Sequence, residues 1–269
     1  MAERLAILAG SGILPRLIQD IKSNCLAISF QGVEHSMAEP VAIHRVERLG
    51  AMFDALRAGG VTHVVMAGAM QRPRFDASQL DPFTAALLPD LAAAMGQGDD
   101  HVLRFLITLI EAQGFSVIGA HDVVNDLTLA QGDFVGTFPH ELTQSLRRAD
   151  HVLSALAPCD LGQAVVAEAG QVIGVETLQG TEFMLRCVAQ TDPTLRVAGA
   201  GILVKRPKAG QDLRVDMPAI GPDTIDQVAD AGLVGIVVSP ETVMILDRAT
   251  VEQRAKERNV FIAARAMTC

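Results

Sequence analysis

The chain has 269 residues, 49% of them hydrophobic and 20% charged, with no Trp or Tyr and a formal net charge of −9. An acidic chain without basic blocks argues against a general nucleic-acid binder, whose affinity rests on neutralising many phosphates, but a local group of cations can still hold one small anion. Mean hydropathy is +0.30, yet no run of about 18 residues is free of charges and turn formers, so no transmembrane helix is expected.

The N-terminal Met1-Ala2-Glu3-Arg4 leads straight into a strand-like run without a signal-peptide pattern, which predicts a cytoplasmic protein. Leu5-Ala6-Ile7-Leu8-Ala9, closed by Gly10-Ser11-Gly12, reads as a buried parallel strand entering a turn. Residues 13–23 space Leu14, Leu17, Ile18 and Ile21 as a helix. A strand over 25–30 follows, then a helix over 49–58 ending at Gly59-Gly60, and a strand over 62–67 closed by Gly68. Two helices are predicted over 83–95, interrupted near Pro89, and over 99–113. A strand over 115–118 then ends in Gly119-Ala120-His121-Asp122. This alternation predicts an open parallel sheet covered by helices, a Rossmann-like α/β domain over 1–130.

Residues 125–142 lose the periodicity and read as the inter-domain connection. Beyond them a mixed α/β domain is predicted over 131–269. It begins with a helix over 143–156 and a hairpin, 163–168 with 171–177, turning at Ala169-Gly170. A helix over 181–189, a strand over 201–205 and a helix over 224–231 come next. Strands over 235–238 and 243–246 and the segments 251–258 and 260–264 complete it. Cys25, Cys159, Cys187 and Cys269 are scattered, form no CxxC pair, and predict idle thiols rather than a zinc site or disulfides.

Three loops should fall on one edge of the first sheet, where open parallel sheets bind ligands. Gly10, Ser11, Gly12 and Ile13 offer a glycine turn and a helix N-terminus to phosphate. Gly68 and Ala69 leave room for a ring, Arg72 supplies a cation, and His121 closes the fourth strand. Pro15 stands where a third glycine of a dinucleotide fingerprint belongs, and Phe30-Gln31-Gly32 lacks the ribose-binding acid, so a nicotinamide cofactor is disfavoured. In the second half, 205–218 packs Lys205, Arg206, Lys208 and Arg214 with Asp212 and Asp216 into one loop. Pro218 restrains Met217 to extended backbone, and Asp216 beside it could hold a divalent metal or orient water while Lys205, Lys208 or Arg214 neutralises a diphosphate. The run 176–182, with Gln179, Gly180, Thr181 as an N-cap and Glu182, is a second phosphate candidate.

Together Ala9-Gly10-Ser11-Gly12-Ile13-Leu14-Pro15, Ala67-Gly68, Arg72-Pro73, Gly98-Asp99-Asp100, Gly119-Ala120-His121, Asp160-Leu161-Gly162-Gln163, Val175-Glu176, Gly180-Thr181, Lys205 with Pro207-Lys208 and Arg214-Val215-Asp216-Met217-Pro218 resemble the UDP-2,3-diacylglucosamine diphosphatases of lipid A biosynthesis, the LpxI type. The resemblance runs from Leu5 almost to the C-terminus. It implies a UDP-binding N-terminal domain, a catalytic C-terminal domain that also binds the acyl-sugar phosphate, and substrate held between them. It further implies Mg²⁺-dependent hydrolysis (Mn²⁺ as substitute) to UMP and 2,3-diacylglucosamine 1-phosphate, with water attacking the sugar-lipid phosphorus. Asp216 inherits the family's essential aspartate and metal role, Lys205 and Lys208 join it, and Gln163 is added to the substrate contacts. The partners implied are a nucleotide-sugar lipid and a transient contact with the inner membrane, without nucleic acid; a homo-oligomer is left open. The acyl tails are expected to lie among Val165, Val172, Phe183, Met184 and Val188. A nucleotide-sugar enzyme of another class and a non-catalytic lipid or nucleotide sensor are the competing readings.

Overall fold

A computed structural model describes residues 3–70 and 75–267. The chain divides into two compact units: Met1–Asn125 with Asp212–Asp216, and Asp126–Gln211 with Met217–Cys269. The units divide at 125/126, within the 125–142 stretch expected to connect the domains, and a five-residue piece of the second half belongs to the first unit.

Unit 1 is built from β1 (Leu5–Ala9), α1 (Leu14–Ile21), β2 (Leu26–Phe30), β3 (Ala42–His44), α2 (Leu49–Ala58), β4 (His63–Ala67), α3 (Pro82–Met95), α4 (Asp99–Ala112), β5 (Ser116–Ile118) and the single turn α5 (Ala120–Val123). The five strands form one sheet in the order β3-β2-β1-β4-β5, every pair parallel. The apolar run of β1 is buried along its whole length, as a central strand covered on both faces must be. The strand order changes direction between β1 and β4, so the loops after these two strands meet at the reversal point of the sheet. Phe53 packs edge-on to Phe83 and stacked on Phe115 in the core below. Helix α3 runs unbroken through Pro89, where an interruption was predicted; Asp81 caps its start by accepting the Thr84 N–H at 2.6 Å.

Unit 2 contains β6 (Gly132–Val135), α6 (Thr143–Leu156), β7 (Ala164–Glu168), β8 (Gln171–Val175), α7 (Gly180–Ala189), β9 (Gly201–Lys205), β10 (Ala219–Ile220), α8 (Pro222–Asp230), β11 (Gly235–Val238), β12 (Met244–Ile245), α9 (Arg248–Glu257) and β13 (Phe261–Ala264). Its main sheet has the order β6-β13-β11-β9-β7-β8. The pairs β9–β11 and β11–β13 are parallel, whereas β7 pairs antiparallel with both β8 and β9. The predicted hairpin is therefore present, and the sheet is mixed, as expected for this half. Strand β6 lies inside the stretch read as a connection, antiparallel to β13. Of the acyl-binding candidates, Val165, Met184 and Val188 are at most 4% exposed and fill the core on the two faces of the sheet. Among the described residues no helix is long and apolar enough to cross a membrane.

Candidate functional site

In unit 1 the predicted loops come together because β1, β4 and β5 are neighbours with parallel carboxyl ends. The glycine turn is wired differently from a simple phosphate cradle. Gly10 N–H donates to Ala67 O at 2.7 Å, Ser11 N–H to Ala69 O at 2.8 Å, and Ala69 N–H to Ser11 O at 3.0 Å. The amides of Gly10, Ser11 and Ala69 are thereby used to zip the two loops. Gly68 makes the zipper sterically feasible: at φ +89° it faces the Ser11 carbonyl, and an added Cβ would stand 2.8 Å from the Gly10 carbonyl carbon. Gly12, at φ +97°, has nothing within 4 Å of an added Cβ. Gly12 and Ile13 are exposed where α1 begins. No side chain caps this helix start, so the open amides for an anion lie at its N-terminus, one step beyond the zipped residues. His121 sits in the first turn of α5 with Nδ1 buried and without a hydrogen-bond partner among the described residues. Arg72 lies outside the described residues.

In unit 2 the antiparallel course of β7 and β8 brings the start of β7 and the end of β8 beside the carboxyl end of β9. Lys205 is only 8% exposed there. Its Nζ donates to Thr181 Oγ1 at 2.9 Å, and Thr181 Oγ1 donates to Glu176 Oε1 at 2.5 Å. The other oxygen of Glu176 accepts the Gln163 N–H at 2.8 Å. Burial pushes the Lys205 ammonium below the usual lysine range, with the Glu176 charge pulling back upward. Thr181 is not the N-cap: α7 starts at Gly180 after Gln179, which gives no side-chain cap, and the Thr181 hydroxyl is turned inward. Gln179 is exposed and accepts from the Thr177 hydroxyl. Glu182 is exposed with Arg186 4.0 Å away, a first-turn charge on the helix surface. Lys208 Nζ pairs with Asp160 at 2.5 Å. Next to Lys205, the wholly buried Arg206 is held by Asp150 at 2.5 Å, Ser239 at 3.0 Å and the Arg265 carbonyl at 2.6 Å.

The 212–216 segment belongs to unit 1, although its sequence neighbours belong to unit 2. Val215 packs against the unit 1 core, and Arg214 bonds Asp212 at 2.8 Å and Glu111 at 2.9 Å. Asp212 first and Glu111 second hold the Arg214 guanidinium charged well above its usual range, and the same contact keeps the Asp212 carboxyl below its ordinary value. Arg214 is thus engaged as an anchor, and Asp216 is half-buried at the end of the anchored segment, its N–H donating to Asp212 O at 3.0 Å. Among the described residues no group of three or more His, Cys, Asp or Glu side chains is arranged to hold a metal. Glu176 opens the 176–182 run expected as a phosphate candidate, but its place behind Thr181 and Lys205 was not expected. Its signal was a carboxylate directly following the apolar strand 171–175, which is inconspicuous without the pairing of β7 with β8 and β9.

Two family models match the chain end to end: the LpxI N-terminal domain over residues 4–127 and the LpxI C-terminal domain over 132–263. The chain is also 34% identical over 273 residues to the UDP-2,3-diacylglucosamine pyrophosphatase LpxI of Caulobacter vibrioides, covering 96% of each protein. With both domain models in order and a relative aligned along nearly its full length, the chain belongs to the LpxI family.

Proposed function

We propose that the chain hydrolyses the pyrophosphate bond of UDP-2,3-diacylglucosamine to UMP and 2,3-diacylglucosamine 1-phosphate, a step of lipid A biosynthesis, as a peripheral cytoplasmic enzyme. The observation that carries the reading is Lys205: a buried ammonium at a strand end, beside a helix N-terminus, with one hydrogen bond among the described residues. Such a group is costly to bury unless an anion completes its shell, and a phosphate of the substrate is the fitting anion. The open N-terminus of α1 suits the nucleotide's phosphate in the same way.

Water attacking the sugar-lipid phosphorus forms one P–O bond and breaks the bond to the bridging oxygen, which leaves with UMP. Lys205 lowers the charge that repels the incoming water and stabilises negative oxygen as it develops. Asp216, as the carboxylate of the anchored segment, orients the water or a cation. A hard divalent cation such as Mg²⁺, or Mn²⁺, would be held by the Asp216 carboxylate, an oxygen donor of the kind such ions take. Bound there, a divalent cation supplies charge neutralisation of the diphosphate. For the tails, Leu178 (90% exposed) and Phe183 flank Thr181 and offer apolar surface on the side of α7 away from the core. The same residues support brief contact with the membrane that holds the substrate.

The test is purified protein with UDP-2,3-diacylglucosamine, Mg²⁺ and ¹⁸O-water, followed by mass. UMP release with the label in the sugar 1-phosphate is expected, and activity is expected to vanish in chelator and return with added cation. Intact substrate under these conditions would refute the reading.

A further inference from the structure

Glu176 and Lys205 are two buried opposite charges that do not touch as an ion pair. Glu176 is 9% and Lys205 8% exposed, and the Thr181 hydroxyl stands between them. A lysine ammonium can only donate. Thr181 Oγ1 therefore accepts from Lys205, and its own proton goes to Glu176, so the direction of the chain is fixed. The far oxygen of Glu176 is tied to the Gln163 N–H at 2.8 Å. Gly162, at φ +61°, presses against the Glu176 backbone, where an added Cβ would stand 2.8 Å from its carbonyl carbon. The carboxylate is thus held by the Gln163 N–H and the Thr181 hydroxyl, with its backbone packed against Gly162.

The interposed hydroxyl has a consequence. A direct contact would place the carboxylate against Nζ, where it competes with any anionic ligand. Held one hydroxyl back, it favours the charged lysine through space and consumes a single donor. Of the three donors on Nζ, one goes to Thr181, and no other partner for Nζ is present among the described residues. We propose that Glu176 is a positioning residue that, through Thr181, fixes Lys205 Nζ and keeps it charged with its remaining donors open to a phosphate oxygen of the substrate. This rests on the pyrophosphatase reading above.

Other groups near Lys205 leave this role to Glu176. Arg206, next on the strand, is turned to Asp150 of α6. Gln163 before β7 and Ser239 after β11 are neutral, and Glu182 of α7 is exposed toward Arg186. Removing the Glu176 charge therefore leaves burial unopposed, and Lys205 loses its proton at lower pH.

The experiment compares wild type, Glu176→Gln, Thr181→Val and Thr181→Ser in two ways. One is kcat/KM for UDP-2,3-diacylglucosamine against pH. The other is a ¹³C-lysine NMR titration of the free enzyme, tractable because the chain has only Lys22, Lys205, Lys208 and Lys256. Glu176→Gln and Thr181→Val should lose about tenfold in kcat/KM at about pH 9 and far less at about pH 7, with the Lys205 resonance titrating at lower pH. Thr181→Ser, which keeps the hydroxyl, should recover the pH profile and the Lys205 titration that Thr181→Val loses. An unmoved Lys205 titration in Glu176→Gln, or a loss of equal size at every pH, would overturn the inference while leaving the activity assigned. Failure of the wild type to hydrolyse the substrate would instead remove the functional reading, and the NMR titration alone would then decide the role of Glu176.

Discussion

Gly68 and Gly12 offer a controlled comparison at the reversal point of the first sheet. Both have left-handed backbone, φ +89° and +97°, so replacing either by Ala costs about 1–2 kcal/mol for the conformation alone. The surroundings then separate them. At Gly12 the new methyl meets nothing within 4 Å. At Gly68 it lies 2.8 Å from the Gly10 carbonyl carbon and against the Ser11 carbonyl, which itself accepts the Ala69 N–H. Relieving that overlap means parting the two loops and losing the paired hydrogen bonds between Ser11 and Ala69, at about 1 kcal/mol each. Gly68→Ala should therefore be destabilising by about 3 kcal/mol or more, and Gly12→Ala by about half that. With no Trp or Tyr in the chain, urea unfolding is best followed by far-UV circular dichroism, with hydrogen exchange of the β1 and β4 amides as the local readout. UMP affinity, measured by calorimetry, should fall with the loop opening in Gly68→Ala. Equal destabilisation in the two variants would show that the loop zipper does not exist as described.

Asp216→Asn should lower kcat at least about a hundredfold with an unchanged circular dichroism spectrum, since it removes the carboxylate proposed to act at the reacting phosphate; near-normal turnover would remove Asp216 from the chemistry. Lys205 binds fewer protons folded than unfolded between its lowered folded value and about 10.4, so its contribution to stability rises with pH across that window. Melting temperatures of wild type and Lys205→Met measured from about pH 7 upward should therefore diverge in slope, and parallel curves would mean that Lys205 is solvated. Leu178→Asp should raise KM for the diacyl substrate about tenfold, the scale of one buried leucine side chain, without altering UMP affinity; an unchanged KM would place the tails elsewhere.

The elements most legible in the sequence were those whose burial is continuous. The apolar runs of β1, β4 and β9, each closed by glycine or charge, could hardly read otherwise, and the loops at their ends followed from them. Strand β3 escaped because Ala42 and Ile43 are exposed and it is only three residues long. Strand β6 escaped because Val135 alone of its residues is buried. Pro89 was read as an interruption, although tertiary packing carries α3 through it. Lys205 was found as a cation in a charged loop, but not its burial, nor Glu176 behind it, because these depend on antiparallel pairings between strands distant in sequence. The same holds for 212–216, whose local sequence contains nothing to say which core will receive Val215.

The charged groups proposed for the reaction are held in two physically different ways. Lys205 is itself buried and donates to the half-buried Thr181, which donates in turn to the buried Glu176, whose other oxygen accepts the Gln163 N–H. In that low-dielectric setting each contact is strong and each missing one is expensive. Asp216 is carried on a segment held by Val215 and by ion pairs whose side chains are substantially exposed, 38% for Arg214 and 45% for Glu111. Exposed pairs of that kind are worth about 0–1 kcal/mol each, whereas the lysine is set into the fold itself. A pre-organised cation suits a role that is electrostatic throughout the reaction. The carboxylate proposed to orient water or a cation is called on only once water, cation and phosphate have arrived.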